Sequence, residues 1–276
     1  MNGEDKRGIF FGVVGVLTLI VAIIGASLAY FSINARSKDD AVRVEAATVK
    51  IVYEDGDKLL VGNNIIPATQ AIATRTFERY LSKEQYTDKT SQEKVYYSKC
   101  VDDNGYNVCG AYNFSLTNSG PTATTITMTI KPTTPKNEDG EPLTEYTKFK
   151  NLRYALYNVT GVAEDTYPTS DGTTTDYKEL GTLVKSDALS ITTDSEGKVT
   201  GYNDTIVIDY NEDEPSKNIT INSNETKVYR LFVWLNETST ELESIPQDYE
   251  QGAVFQGAIS IDVVGANNSQ ITGSAS

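Results

Sequence analysis

The chain has 276 residues, 24 Lys+Arg against 38 Asp+Glu and no His, for a formal charge of −14. A sequence pI near 4.5 excludes binding to duplex DNA or RNA, which needs Lys and Arg to displace the counterions of the phosphate backbone. The absence of His excludes the Ser-His-Asp triad, the Cys-His dyad and HExxH zinc sites.

Residues Ile9–Phe31 read IFFGVVGVLTLIVAIIGASLAYF, 23 residues without a charge. At about 1.5 Å per residue, a helix of this length spans roughly 35 Å, enough for a bilayer core. Lys6 and Arg7 precede it, and acidic neighbours count little in orientation, so the N-terminus reads as cytoplasmic and the rest as outside. Two readings compete. The segment is a retained membrane anchor, or it is a secretory signal cleaved after Ala29, since Ser27 and Ala29 are small residues at the −3 and −1 positions. Lys6-Arg7-Gly8 also fits a pilin-type leader, although Val13 stands where such leaders carry Glu. Each reading carries the bulk of the chain across a membrane. It is then a cell-membrane protein with an extracellular domain, or a secreted or cell-surface protein once the leader is removed. Residues 1–31 thus form the transmembrane or signal helix and 32–45 a linker.

From about residue 46 to residue 270 the chain reads as one strand-built domain. Short runs rich in β-branched and aromatic residues recur between Gly, Asn, Asp and Pro. Thr48–Tyr53 is the first. Ala68–Gln85 is ambiguous: Ala73, Phe77, Tyr80 and Leu81 sit at helical spacing, so a short helix competes with a strand. Ser82–Ser98 is polar and reads as a surface insertion. Ala111–Thr117 is a strand. Thr122–Ile130 alternates, with Ile126, Met128 and Ile130 on one face and Thr125, Thr127 and Thr129 on the other, the period of a half-buried strand. Leu152–Tyr157, Thr205–Ile208 and Ile219–Ile221 are shorter candidates. Val228–Leu235 is apolar on both faces and predicts a central strand containing Trp234 in the core. Phe255, Ile259, Ile261 and Val263 alternate against Gln256, Ser260 and Asp262 in the last strand, and the tail, 271–276 with Gln270 at its start, reads as disordered. Asp55-Gly56, Asn104-Gly105, Asp139-Gly140, Asp171-Gly172 and Glu196-Gly197 supply turn signals. The fold class is therefore all-β, an antiparallel sandwich of the jelly-roll or immunoglobulin-like kind.

Cys100 and Cys109 are the two cysteines of the chain and flank the Asn104-Gly105 turn. Outside the membrane this predicts one disulfide. Asp209, Asn211 and Asp213 match the first three ligand positions of a calcium loop, but Glu214, Pro215 and Thr220 depart from its later positions, so a solvated acidic loop competes with a calcium site. Asp102 and Asp103 form a lesser cation candidate. Paired carboxylates for glycoside hydrolysis cannot be singled out among 38 acidic residues, and no catalytic motif is present, so the chain reads as a non-enzyme without a cofactor other than that calcium candidate. Seven Asn-x-Ser/Thr sites stand at Asn113, Asn158, Asn203, Asn218, Asn224, Asn236 and Asn267, meaningful only where the host glycosylates exported proteins. The 17 Tyr read as half-buried strand residues, with a Tyr-rich adhesive surface as the alternative.

Ala29-Tyr30-Phe31-Ser32, then Ala47-Thr48-Val49-Lys50-Ile51, Ile66-Pro67-Ala68, and Phe114-Ser115-Leu116-Thr117-Asn118-Ser119-Gly120 occur in an order that resembles the TasA/camelysin-like family of exported bacterial surface proteins. The resemblance covers about the first 130 residues. Val44–Ala47, Ala68 and an intrusion of about 45 residues carrying both Cys depart from the family pattern. The resemblance implies a jelly-roll sandwich at the cell surface and membership among proteins that build biofilm matrix fibres. The metalloprotease label that some relatives carry finds no His here to support it. The expected function is structural or adhesive, with self-association. The alternative is an extracellular glycan- or protein-binding module anchored by its N-terminal helix. The membrane, through residues 9–31, is the expected partner in both.

Overall fold

Alternation of apolar and polar side chains drives most of this chain into strands, and a computed structural model describes residues 31–33, 50–56, 65–88, 90–136, 141–169, 172–237, 250, 252–264 and 270–271. The strands in chain order are β1 (Phe31–Ile33), β2 (Ile51–Asp55), β3 (Gln85–Thr87), β4 (Lys94–Tyr96), β5 (Gly110–Asn118), β6 (Thr124–Pro132), β7 (Leu152–Asn158), β8 (Glu164–Thr169) and β9 (Gly172–Tyr177). They continue as β10 (Thr182–Ala188), β11 (Ile191–Thr193), β12 (Val199–Tyr202), β13 (Thr205–Ile208), β14 (Ile219–Ile221), β15 (Thr226–Leu235), β16 (Phe255–Val263) and β17 (Gln270–Ile271), and helix α1 (Gln70–Leu81) falls between β2 and β3.

Two sheets form the sandwich. One runs β1-β16-β6-β13, with β14 also on β6 and β17 also on β16; the other runs β10-β7-β15-β5-β2. All pairings within them are antiparallel except that of β1 with β16. The core between them takes Ile126, Met128, Ile130, Phe255, Ile259 and Ile261 from the first sheet and Phe114, Leu116, Tyr154, Leu156, Tyr229 and Leu231 from the second. The period-two reading of β6 holds: Ile126, Met128 and Ile130 are buried while Thr125, Thr127 and Thr129 are half-buried.

A third layer covers the outer face of the second sheet. Ala111, Ala155, Tyr157, Phe232 and Trp234 pack there against Ala73, Phe77, Tyr80 and Leu81 of α1, against Cys100, Val108 and Cys109, and against Tyr167 of β8. This layer explains why β15 is apolar on both faces: it lies between β5 and β7 and is roofed twice. Trp234 is fully buried, as its sequence context predicts.

The ambiguous Ala68–Gln85 stretch resolves as α1. Thr69 caps it by accepting a hydrogen bond from the Ile72 N–H at 3.3 Å, satisfying one of the free donors of the first turn. Residues 73, 76, 77, 80 and 81 then form one buried stripe at helical spacing. The polar segment after it is the exposed ribbon β3–β4.

Some expectations are corrected. Gln256 and Ser260 read as the outward face of the last strand, yet both are buried, and β16 is buried on both faces over most of its length. Gln270 and Ile271 belong to a strand on β16 rather than to a disordered tail. Phe31 and the start of the 32–45 linker form β1, in parallel register with Phe255–Gly257. The hairpins β8–β9 and β11–β12 carry strands the periodicity did not reveal, with Glu196-Gly197 at the turn of the second. Asp55-Gly56 closes β2, where the Gly56 N–H donates to Asn113 O at 2.9 Å and a Cβ would stand 2.6 Å from that oxygen. The leader helix (9–30), the Ala29 cleavage site, most of the linker, the Asp139-Gly140 turn and Asn267 lie outside the described residues. Among the described residues no helix is long and apolar enough to cross a membrane.

Candidate functional site

The densest polar chemistry sits beneath the third layer. Arg230 on β15 lies directly opposite Asn113 on β5, and both side chains point to the outer face. Arg230 is fully buried. Its Nε donates to Asn113 Oδ1 at 3.0 Å, its Nη1 to Glu179 O at 2.9 Å, and its Nη2 to Asp176 Oδ1. Asp176 on β9 is 1% exposed. It also accepts from Asn113 Nδ2 at 3.1 Å, and Lys99 Nζ lies 2.8 Å from its Oδ2. The rings of Phe77 and Tyr80 floor the cluster: the Arg230 guanidinium carbon is 4.8 Å from the Phe77 ring centre and Lys99 Nζ 5.2 Å from that of Tyr80. One buried carboxylate therefore faces two cations, Arg230 fully buried and Lys99 partly exposed. Burial pushes the Asp176 carboxyl up, but the charges of Lys99 and Arg230 and the Asn113 amide outweigh it and hold it below the ordinary carboxylate range. Burial lowers the Arg230 guanidinium, which Asp176 offsets only in part. A cleft of about 220 Å³ opens beside the cluster, lined by Glu54, Asp55, Asn113, Glu164, Asp176 and Tyr177 among others.

Cys100 and Cys109 stand at disulfide distance, their Cα atoms 5.1 Å apart. The loop they close is shaped by Asp102, whose Oδ1 accepts from the N–H groups of Asn104 and Tyr106, both at 2.9 Å. Gly105 takes the positive φ of +86° that this turn requires. Asp103 pairs with Arg79 and accepts from Tyr97 OH at 3.0 Å. Both aspartates of the lesser cation candidate are thus occupied in holding the loop.

At the calcium candidate, Asp209 and Asn211 bond within their own loop. Asp209 Oδ1 accepts from the Tyr210 N–H and Asn211 Oδ1 from the Asp213 N–H, both at 2.9 Å, while Asn211 Nδ2 donates to Glu214 at 3.2 Å. The Asn218 side chain closes the loop through the N–H and C=O of Asn211. Among the described residues no group of three or more Asp, Glu, Cys or His is gathered as metal ligands. Of the sequons, Asn113 is committed to the buried cluster and 7% exposed, so no glycan fits there in the folded chain.

Exposed large apolar side chains fall in two places. Ile72 lies on α1, Tyr86 and Tyr96 on opposite faces of the β3–β4 ribbon, and Tyr106 in the disulfide loop; Leu183, Val184, Ile206 and Tyr210 lie on β10, β13 and the residues just after β13. The second group borders strands interrupted by bulges at Leu183/Lys185 and Ile206/Ile208, devices that blunt an edge against further pairing. In the first group Tyr86 rests on Tyr97 with ring centres 4.8 Å apart, and Arg79 covers Tyr97 at 4.9 Å.

No protein-family model matches the chain, and no curated protein matches it. The Arg230–Asp176–Lys99–Asn113 cluster was not legible in the sequence. Its one signal was an arginine inside the most apolar run after the leader, which a buried partner must compensate.

Proposed function

We propose that the protein is an exported cell-surface structural or adhesive protein, a matrix-fibre subunit of the kind the TasA/camelysin-like resemblance implies, with a jelly-roll body, acting without catalytic turnover. The observation that carries this reading is the exposed β3–β4 ribbon and disulfide loop, which carry tyrosines on both faces of the ribbon and on the loop. Tyr86, Tyr96 and Tyr106 are 40%, 46% and 56% exposed. By sequence, residues 69–109 hold six basic and six acidic side chains, whereas the whole chain carries −14. A locally neutral, tyrosine-bearing segment can approach an acidic neighbour that the rest of the molecule repels, and Tyr and Arg are the residues enriched at such contacts. Export follows from the uncharged Ile9–Phe31 run behind Lys6 and Arg7.

The test is negative-stain microscopy and cell-surface retention of the chain from Tyr30 onward, across ionic strength and divalent cations. Salt-dependent self-association or attachment is expected. The triple variant Tyr86→Ser, Tyr96→Ser, Tyr106→Ser should keep its melting temperature and lose that association. No association under any salt condition, or hydrolase turnover abolished by one carboxylate change, overturns the proposal. The glycan-binding alternative draws on the exposed Tyr86 ring, an aromatic face of the kind sugars stack on; specific retention on a glycan array that the triple variant loses would favour it.

A further inference from the structure

We propose that Lys99 and Asn113 are joined by an amide bond between their side chains, formed by the folded protein acting on itself. Three observations lead here. Asp176, 1% exposed, touches both reacting groups: Lys99 Nζ is 2.8 Å from its Oδ2, and Asn113 Nδ2 donates to its Oδ1 at 3.1 Å. A carboxylate so placed takes a proton from the amine and hands it to the amide nitrogen, the work of a general acid–base. Arg230 Nε donates to Asn113 Oδ1 at 3.0 Å, so a fixed cation is aimed at the oxygen on which negative charge develops when the amide is attacked. Finally, the cluster sets two cations, Arg230 fully buried and Lys99 mostly buried, against one buried carboxylate, an imbalance that low dielectric makes costly. Converting Lys99 to a neutral amide leaves Asp176 and Arg230 as a matched pair.

The step balances without any co-reactant. Lys99 reaches its nucleophilic neutral form by giving a proton to Asp176. Its Nζ bonds to Asn113 Cγ, the Cγ–Nδ2 bond breaks, and Asp176 relays the two protons lost by Nζ to the departing nitrogen. Ammonium leaves and Asp176 ends ionised, as it began. The cleft lined by Asn113 and Asp176, with Glu54 and Glu164 on its walls, is an acidic exit for that ion. This is a single self-modification, distinct from turnover, and it does not rest on the surface function proposed above. The bond would tie the base of the disulfide loop to β5 covalently.

Mass mapping of the purified full chain, reduced, alkylated and digested with trypsin, tests it. The expected product is the fragment Val95–Lys136, uncut at Lys99 and lighter than its sequence mass by one ammonia. Lys99→Arg, which keeps the charge, should restore cleavage at residue 99 and the full mass. Asp176→Asn should also leave the fragment unlinked. Ordinary cleavage at Lys99 in the wild-type chain, or an uncut fragment of unshifted mass, overturns the proposal. Loss of one water with Lys99 linked to Asp176 overturns Asn113 as the acceptor.

Discussion

Replacing Asp176 by Ala removes the carboxylate that, among the described residues, pairs with both Arg230 and Lys99. Arg230 is fully buried and keeps only neutral acceptors, Asn113 Oδ1 and the carbonyls of Glu179 and Leu180. Removing one partner of a buried ion pair strands the other charge and costs about 3–5 kcal/mol. At roughly 2–4 °C per kcal/mol for a domain of this size, the melting temperature should fall by about 6–20 °C. The assay is thermal unfolding followed by circular dichroism at neutral pH, with Asp176→Leu/Arg230→Met as the companion. Because two well-packed apolar residues can replace a buried pair at little cost, the double variant should lose less than the single one. A fall of less than about 2 °C in Asp176→Ala would refute the reasoning, since that corresponds to less than about 1 kcal/mol. It would mean that Arg230 reaches water despite its burial.

Trp234→Ala should cost about 3–5 kcal/mol, a large cavity in a residue roofed by α1 and packed beside Phe232; wild-type tryptophan emission should be blue-shifted, and water-like emission would contradict its burial. Cys100→Ser with Cys109→Ser should cost about 2–3 kcal/mol by loop entropy, seen as a lower urea midpoint, with proteolysis within the freed loop; non-reduced peptide mapping that finds two free thiols would remove the basis for it. Stability should also fall at alkaline pH. Burial pushes Tyr154 and Tyr167 up to about 12, above the value near 10 of an unfolded tyrosine. Their folded forms hold the proton more tightly, so this stabilisation is complete below about 10 and is lost as pH rises through about 12. Urea midpoints measured from pH 8 to 12 check the sign, and midpoints unchanged above about pH 10 would contradict it.

Periodicity in the sequence determined what local sterics and burial decide together. β6 shows Ile126, Met128 and Ile130 against three Thr, and β15 shows apolar residues on both faces, so each strand and its degree of burial could be read in advance. Turn chemistry at Asn104-Gly105 likewise brought Cys100 and Cys109 together, because the turn closes within the same ten residues. Asp171-Gly172 marked a turn, but the polar strands around it carry no period-two signal, so β8–β9 emerged only when Tyr167 and Asp176 met the second sheet. Gln256 and Ser260 could not be placed inside, because a strand's polar face is buried only when another layer covers it, and the strand does not encode that layer. The same holds for the cluster. Arg230 announces a missing partner, but Asp176 is 54 residues away in sequence and Asn113 117 away, and their meeting depends on which strands pair and which hairpin folds over them. Contacts at that separation are chosen by the packing of whole sheets, so tertiary structure alone decided where the chemistry of this chain is concentrated.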